Sequence, residues 1–212
     1  VRAVWGRVLR RVGLFLAQSE EDGRRLVAMG ARVGSVRVVG NLKYDVRAAK
    51  ESRVTELIRA AAGGRPIVVA GSTVRGKSSW EEELFFPAMQ TVWKSRPDAV
   101  LVLAPRHPER FEEVFSLASE YGAAVKATDL AQDEGNHLTG NAIVLLDTVG
   151  DLASVYGVAD LSFIGGSLVD AGGHNPLEPA RFGVPVIIGR SFENFREVVG
   201  SLLAADAICI VK

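Results

Sequence analysis

Phe163-Ile164-Gly165-Gly166-Ser167-Leu168-Val169-Asp170-Ala171-Gly172-Gly173-His174-Asn175-Pro176-Leu177-Glu178-Pro179-Ala180 is the stretch from which the rest of the chain is read. Leu161 to Ile164 has the apolar run of a buried strand. Two Gly pairs then flank a short loop, and glycine lets backbone N–H groups approach a neighbour closely. Asn175 is expected as a helix N-cap, with Pro176 at the first helical position and Glu178 at the third, closing a capping box. Strand, Gly-rich loop and open helix N-terminus together suit an anion such as a phosphate. The same features also describe a well-capped βα turn with no ligand.

Outward from this stretch, strands and helices alternate. From residue 66 onward the expected strands are Pro66 to Ala70, Ala99 to Leu103, Ala123 to Lys126, Ala142 to Asp147, Leu161 to Ile164 and Gly183 to Gly189. Helical segments lie between them, including Trp80 to Trp93, Glu112 to Tyr121 and a helix ending near Phe182. That rhythm predicts an α/β fold: a Rossmann-like parallel sheet with helices on both faces. Earlier, Val12 to Ala17, a helix capped by Ser19 and stopped at Gly30, and Val36 to Val39 form a βαβ unit. Residues 46–62 read as a further helix.

Composition sets outer bounds. The 212 residues suffice for one large domain or two small ones. A formal net charge of zero gives no bulk pull toward nucleic acid, so no nucleic-acid partner is expected. Three His, one Cys and no clustered loop carboxylates argue against a metal site. Cys209, the single cysteine, is expected to pack in a strand. No apolar run approaches the ~20 residues of a membrane-spanning helix. Residues 1–11 form a basic amphipathic face, suited to an anionic membrane surface or, as preferred here, to packing on another domain. Val1 at the start and a strand-like Ile208 to Lys212 at the end make the chain read as a fragment.

Candidate ligand residues lie on turns after strands. Gly71-Ser72-Thr73-Val74-Arg75-Gly76-Lys77-Ser78 matches the P-loop pattern, with Lys77 for phosphates, Ser78 for Mg²⁺ and Asp147 as a possible Walker-B carboxylate. Arg106, in a proline-stiffened turn, is placed to meet a phosphate or carboxylate. Glu109 and Arg110 are read as a solvated helix start. Asp151 is expected to cap a helix over Ala153 to Val158, or to meet a ligand hydroxyl. The polar stretch Asp129 to Gly140 reads as a loop, with His137 exposed.

Four segments, in order, resemble the 3-deoxy-D-manno-octulosonic acid (Kdo) transferases: Gly40 to Asp45, Ala104 to Phe111, Asp147 to Leu152, and Gly165 to Ala180. The last is the most specific. The resemblance covers essentially the whole chain but only the second half of a family member. It implies the donor-binding C-terminal domain of a GT-B glycosyltransferase, with residues 1–45 closing the N-terminal domain and 46–212 forming most of the C-terminal one, truncated at its end. It further implies transfer of Kdo from CMP-Kdo to a lipid A precursor (lipid IVA) in lipopolysaccharide core biosynthesis, at the cytoplasmic face of the bacterial inner membrane. Carried over by motif, Pro105, Arg106, Gly150, Asp151, Leu152, Asn175, Pro176, Leu177 and Glu178 would bind CMP.

The family's general base and its membrane anchor would lie outside this chain, so no catalytic residue, cofactor or metal is expected within it, and the fragment alone should not turn over. The chain departs from the family at Asp151, where Glu is usual, at Val74, where His is usual, and in the extra residues Lys77 to Trp80. That insertion accounts for the P-loop match. A UDP-sugar glycosyltransferase, a P-loop NTPase using Gly71 to Ser78 and a non-catalytic nucleotide-binding module are the alternatives.

Overall fold

A computed structural model describes residues 2–40, 50–131 and 138–212. It divides into two compact units, Val1–Arg47 and Ala48–Lys212. In the first, α1 (Arg2–Leu9) is followed by β1 (Phe15–Ala17), α2 (Glu20–Met29) and β2 (Val36–Val38), and the two strands pair in parallel. Ser19 caps α2 by accepting the Asp22 N–H, and three acids in the first turn complement the helix dipole. Gly30 ends α2 in the left-handed region at φ 116°. Most of the Gly40 to Asp45 segment lies outside the described residues, as does His137.

The second unit begins with α3 (Arg53–Ala62), shorter than expected because Ser52 caps it by accepting the Thr55 N–H. Then follow β3 (Ile67–Thr73), α4 (Glu81–Ser95), β4 (Val100–Pro105), α5 (Phe111–Ser119), β5 (Ala123–Lys126) and α6 (Ala127–Leu130). The remainder is β6 (Ala142–Leu145), α7 (Leu152–Val155), β7 (Leu161–Ile164), α8 (Leu177–Ala180), β8 (Val186–Ile188), α9 (Arg196–Ala204) and β9 (Ile208–Ile210). Seven strands form one sheet in the order β5-β6-β4-β3-β7-β8-β9, all parallel.

The apolar runs are continuous because both faces of the sheet are covered. Side chains alternate across it. Val69, Val102, Val144, Ile164 and Ile188 pack on one side with Ile58 of α3 and Val199 of α9. Ala70, Leu101, Leu103, Ile143, Leu145 and Phe163 pack on the other with Phe86, Met89 and Trp93 of α4 and Val114 of α5. Cys209 does lie in a strand, but it is exposed rather than packed, since β9 is the last strand of the sheet.

Strand order fixes where a ligand can enter. From β3 the chain moves outward to β4 and the strands beyond it, then returns to the other side of β3 at β7. The switch point is therefore between β3 and β7, and ligands of open α/β sheets bind outside the carboxyl ends of strands at such a point. The turns after β3, β4, β6 and β7 all open on that edge.

Candidate functional site

The turn after β3 is not a P-loop. Gly71, Ser72 and Thr73 belong to the strand, and Thr73 still pairs with Pro105 of β4. Arg75 and Trp80 then form an antiparallel bridge, closed by a Gly76 N–H bond to the Ser79 carbonyl. Lys77 and Ser78 sit exposed at the tip of this hairpin, and α4 starts only at Glu81. A P-loop needs its lysine and serine at the helix entrance. The proposed Walker-B residue, Asp147, instead accepts from the Thr128 N–H at 3.0 Å and its hydroxyl at 2.5 Å, fixing α6.

The acidic start of α4 is buried. Glu81 and Glu82 are both 0% exposed. Glu82 accepts from Arg110 Nη1 at 3.0 Å and Nη2 at 2.9 Å, and from the Thr73 hydroxyl at 2.6 Å. Arg110 is thus a buried ion-pair partner, contrary to the solvated helix start expected for it. Its guanidinium also lies over the Trp80 ring, 5.3 Å from the centroid. Neighbouring Glu109 is exposed, as expected.

The Gly-rich loop after β7 differs from expectation in an instructive way. Gly165, Gly166 and Ser167 are buried. The N–H groups of Gly166, Ser167 and Leu168 all donate to the Glu81 carboxylate, at 2.6, 2.8 and 2.9 Å. The anion cradled by this loop is therefore internal. Gly165 is needed for backbone packing: a Cβ there would sit 2.3 Å from the Ser72 carbonyl oxygen. Gly71 is needed likewise, since its Cβ would lie 1.9 Å from the Tyr156 hydroxyl.

The helix after this loop is a single turn, α8, not one running to Phe182. Asn175 Oδ1 accepts the Leu177 N–H at 3.1 Å, so it caps as expected in kind. The turn registers late because residue 179 is proline, with no N–H to return to the Asn175 carbonyl. Glu178 does not close a capping box; its Oε1 meets Asn175 Nδ2 at 3.5 Å. A four-residue turn carries little macrodipole, so side chains rather than helix charge must supply most of any anion affinity.

Between the turns after β4 and β6 lies a cleft of about 370 Å³ lined by Ser72, Pro105, Arg106, Thr148, Gly150 and Leu152, among others. Four of the nine expected CMP residues therefore share one cavity: Pro105, Arg106, Gly150 and Leu152. Asp151 does not line it, and its side chain makes no cap bond to α7. Asn175, Pro176, Leu177 and Glu178 lie on the neighbouring turn, with Pro176 and Leu177 buried. The two groups feel each other electrically. Burial pushes the Glu178 carboxyl up, and Arg106 pulls it partly back. Burial, then the charges of Arg106 and His107, push His174 below the ordinary imidazole range, which keeps it neutral at pH 7.

Among the described residues three buried side-chain polar atoms lack a hydrogen-bond partner: Arg110 Nε, in the ion pair with Glu82, and, outside that pair, His174 Nε2 and Thr148 Oγ1. Buried polar atoms are ordinarily satisfied, so Thr148 Oγ1, whose residue lines the cleft, is a place for a ligand atom, whereas His174 Nε2 lies against Gly166. Neither residue was singled out in the sequence. Thr148 follows a strand at the carboxyl edge, and that position was its available signal. The burial of Glu81 had none, because a three-acid run ordinarily reads as a solvated helix start.

Comparisons with known proteins bear on the fold and the family likeness. The family model for 3-deoxy-D-manno-octulosonic-acid transferase (kdotransferase) matches residues 1–46. The 3-deoxy-D-manno-octulosonic acid transferase of Haemophilus influenzae is 33% identical over 95% of this chain and 46% of its own length. That of Bordetella pertussis is 34% identical over 91% of this chain and 44% of its own. The chain thus spans about half the length of these relatives. The crystal structure of the C-terminal CMP-Kdo binding domain of WaaA from Acinetobacter baumannii superposes with a TM-score of 0.62 at 27% identity, covering 75% of this chain and 81% of that one. The fold is the Rossmann-like α/β domain of the GT-B glycosyltransferases, and over nearly its whole length the chain is similar to the second half of the 3-deoxy-D-manno-octulosonic acid transferases.

Proposed function

We propose that this chain supplies the donor-binding half of a glycosyltransferase that moves Kdo from CMP-Kdo onto a lipid A precursor, lipid IVA. The observation that carries this reading is the likeness to the WaaA CMP-Kdo binding domain, which covers most of both chains. The cleft at the carboxyl edge is its chemical counterpart.

In this reading CMP lies along the turns after β4, β6 and β7. The exposed guanidinium of Arg106 meets the single phosphate, and the loops at Pro105, Gly150 and Leu152 line the nucleoside. Glu178 accepts from ribose hydroxyls, and Asp151, free of a cap bond, is available to a ligand hydroxyl. Asn175, Pro176 and Leu177 hold the turn that presents Glu178. Transfer proceeds by direct displacement with inversion. A base outside this chain takes the proton of the acceptor hydroxyl, whose oxygen attacks the anomeric carbon of Kdo. The bond from that carbon to the phosphate oxygen breaks, and CMP leaves with its electron pair. Charge grows on the phosphate as it departs, so Arg106 there favours the transition state over the ground state. In this reading a lipid acceptor brings the whole protein to the cytoplasmic face of the bacterial inner membrane. Among the described residues no helix is long and apolar enough to cross a membrane.

Calorimetric titration with CMP, UDP and ATP plus Mg²⁺ tests the reading. CMP should bind, UDP and ATP should not, and Arg106→Ala or Glu178→Ala should weaken CMP about tenfold or more, the loss of one charge-assisted contact. Preference for UDP, or ATP binding abolished by Lys77→Ala, would overturn it.

A further inference from the structure

Glu81 holds an unusual position. It is a fully buried carboxylate, and no ion-pair partner is found for it among the described residues. Burial pushes its pKa up, and what holds its charge instead is backbone. Oε1 accepts from the N–H groups of Ser167 and Leu168. Oε2 accepts from those of Gly166 and Val74, the latter at 3.1 Å. The Glu81 N–H returns a bond to the Val74 carbonyl at 3.1 Å. One side chain thus ties the hairpin after β3 to the loop after β7, across the switch point of the sheet.

The loop it holds is a relay. Residue Gly166 gives its N–H to Glu81 and accepts the Gly173 N–H on its carbonyl at 2.8 Å. The Gly165 carbonyl accepts the His174 N–H at 3.1 Å. The His174 ring packs on Gly166, where an added Cβ would meet His174 Nε2 at 3.1 Å. Asn175 and Glu178 follow directly in the chain. The path from the buried carboxylate to the candidate ligand turn is therefore two hydrogen bonds long and runs through backbone.

We infer that Glu81 is a positioning residue for the donor site: its carboxylate takes the place of a bound anion inside the Gly-rich loop and so fixes the turn His174 to Glu178 that meets the nucleotide. This inference rests on the donor-binding reading above. It follows that the N–H groups of Gly166 to Leu168 are not available to the donor phosphate. A carboxylate suits the task because it has acceptors alone, whereas a carboxamide must turn an NH₂ group toward two N–H donors.

The test compares Glu81→Gln with Trp93→Phe, which loses the Trp93 indole bond to the Ala99 carbonyl at the far end of the same helix. CMP affinity is measured by calorimetry, and backbone amides are followed by ¹H–¹⁵N NMR. Glu81→Gln should weaken CMP at least tenfold and shift the amides of Gly166, Ser167, Leu168, Gly173 and His174 while the fold remains cooperative. Trp93→Phe should destabilise the fold yet leave CMP affinity within about twofold, as expected for a distant, independent site. Wild-type affinity in Glu81→Gln, with the wild-type protein binding CMP, would overturn the positioning role alone. Weakening of equal size in Trp93→Phe would reduce that role to general stability and overturn it too. A wild-type chain that ignores CMP would overturn the donor reading and this inference with it. Should Glu81→Gln not fold, Gly166→Ala is the second variant: at φ 70° it disturbs the relay while keeping the carboxylate. It should weaken CMP likewise, and unchanged affinity would overturn the relay.

Discussion

Arg110→Met should unfold far more easily than its place in a charged turn suggests. The guanidinium makes two bonds to a carboxylate that is itself 0% exposed, and its own side chain is 9% exposed. Removing it leaves Glu82 charged and buried, with the Thr73 hydroxyl as its remaining partner among the described residues. Breaking such a pair from one side costs about 3–5 kcal/mol. For a chain of this size each kcal/mol moves the midpoint by ~2–4 °C, so the melting temperature should fall by roughly 6–20 °C. The companion variant Arg110→Met with Glu82→Gln removes the stranded charge while keeping an acceptor for Thr73. It should recover part of the loss, with an interaction energy of ~0.5–3 kcal/mol in a double-mutant cycle. Urea unfolding of wild type, both single variants and the double variant reads these values directly. A loss within about 0.5 kcal/mol for Arg110→Met, the range of ordinary surface changes, would refute the buried-pair account.

Other consequences are equally concrete. Gly71→Ala should be strongly destabilising because its Cβ would lie 1.9 Å from the Tyr156 hydroxyl; adding Tyr156→Phe should restore part of the stability, and no rescue in a thermal melt would count against that contact. His174 has a folded pKa below its unfolded value of about 6.5, so the unfolded chain binds more protons in the window between them. Its contribution to stability is full above that unfolded value and is lost as pH falls toward the folded one. Denaturant unfolding at about pH 5.5 and 7.5 should therefore show wild type gaining stability with pH relative to His174→Gln, and parallel curves would contradict the burial of a neutral imidazole.

The alternation of strand and helix was legible from periodicity, as were the Ser19 and Gly30 caps, because each depends on neighbours in sequence. What sequence could not give depends on pairings across the fold. Arg110 reads as solvated until β3 and α4 bring Glu82 and Thr73 to it, 28 and 37 residues away. The Gly-rich loop after β7 reads as a place for a ligand anion. Glu81, 85 residues earlier, supplies that anion from within the chain. Local chemistry suggested the right kind of site and the wrong occupant. The P-loop pattern failed for a related reason: β3 runs through its first three residues, so its lysine lands on a hairpin tip. In the candidate site itself, Pro105, Arg106, Gly150 and Leu152 were found by position after strands and by motif. Thr148 and His174 emerge only once burial leaves their polar atoms without partners.

Where CMP binds is the most direct test of the central claim, and amide shift mapping during a CMP titration of the labelled chain answers it. Shifts gathered at Arg106, Thr148, Gly150 and His174 to Glu178, with Lys77 and Ser78 unmoved, are what the donor-site account predicts. Shifts centred on Gly76 to Ser79, or scattered without a focus at the carboxyl edge of the sheet, would contradict it.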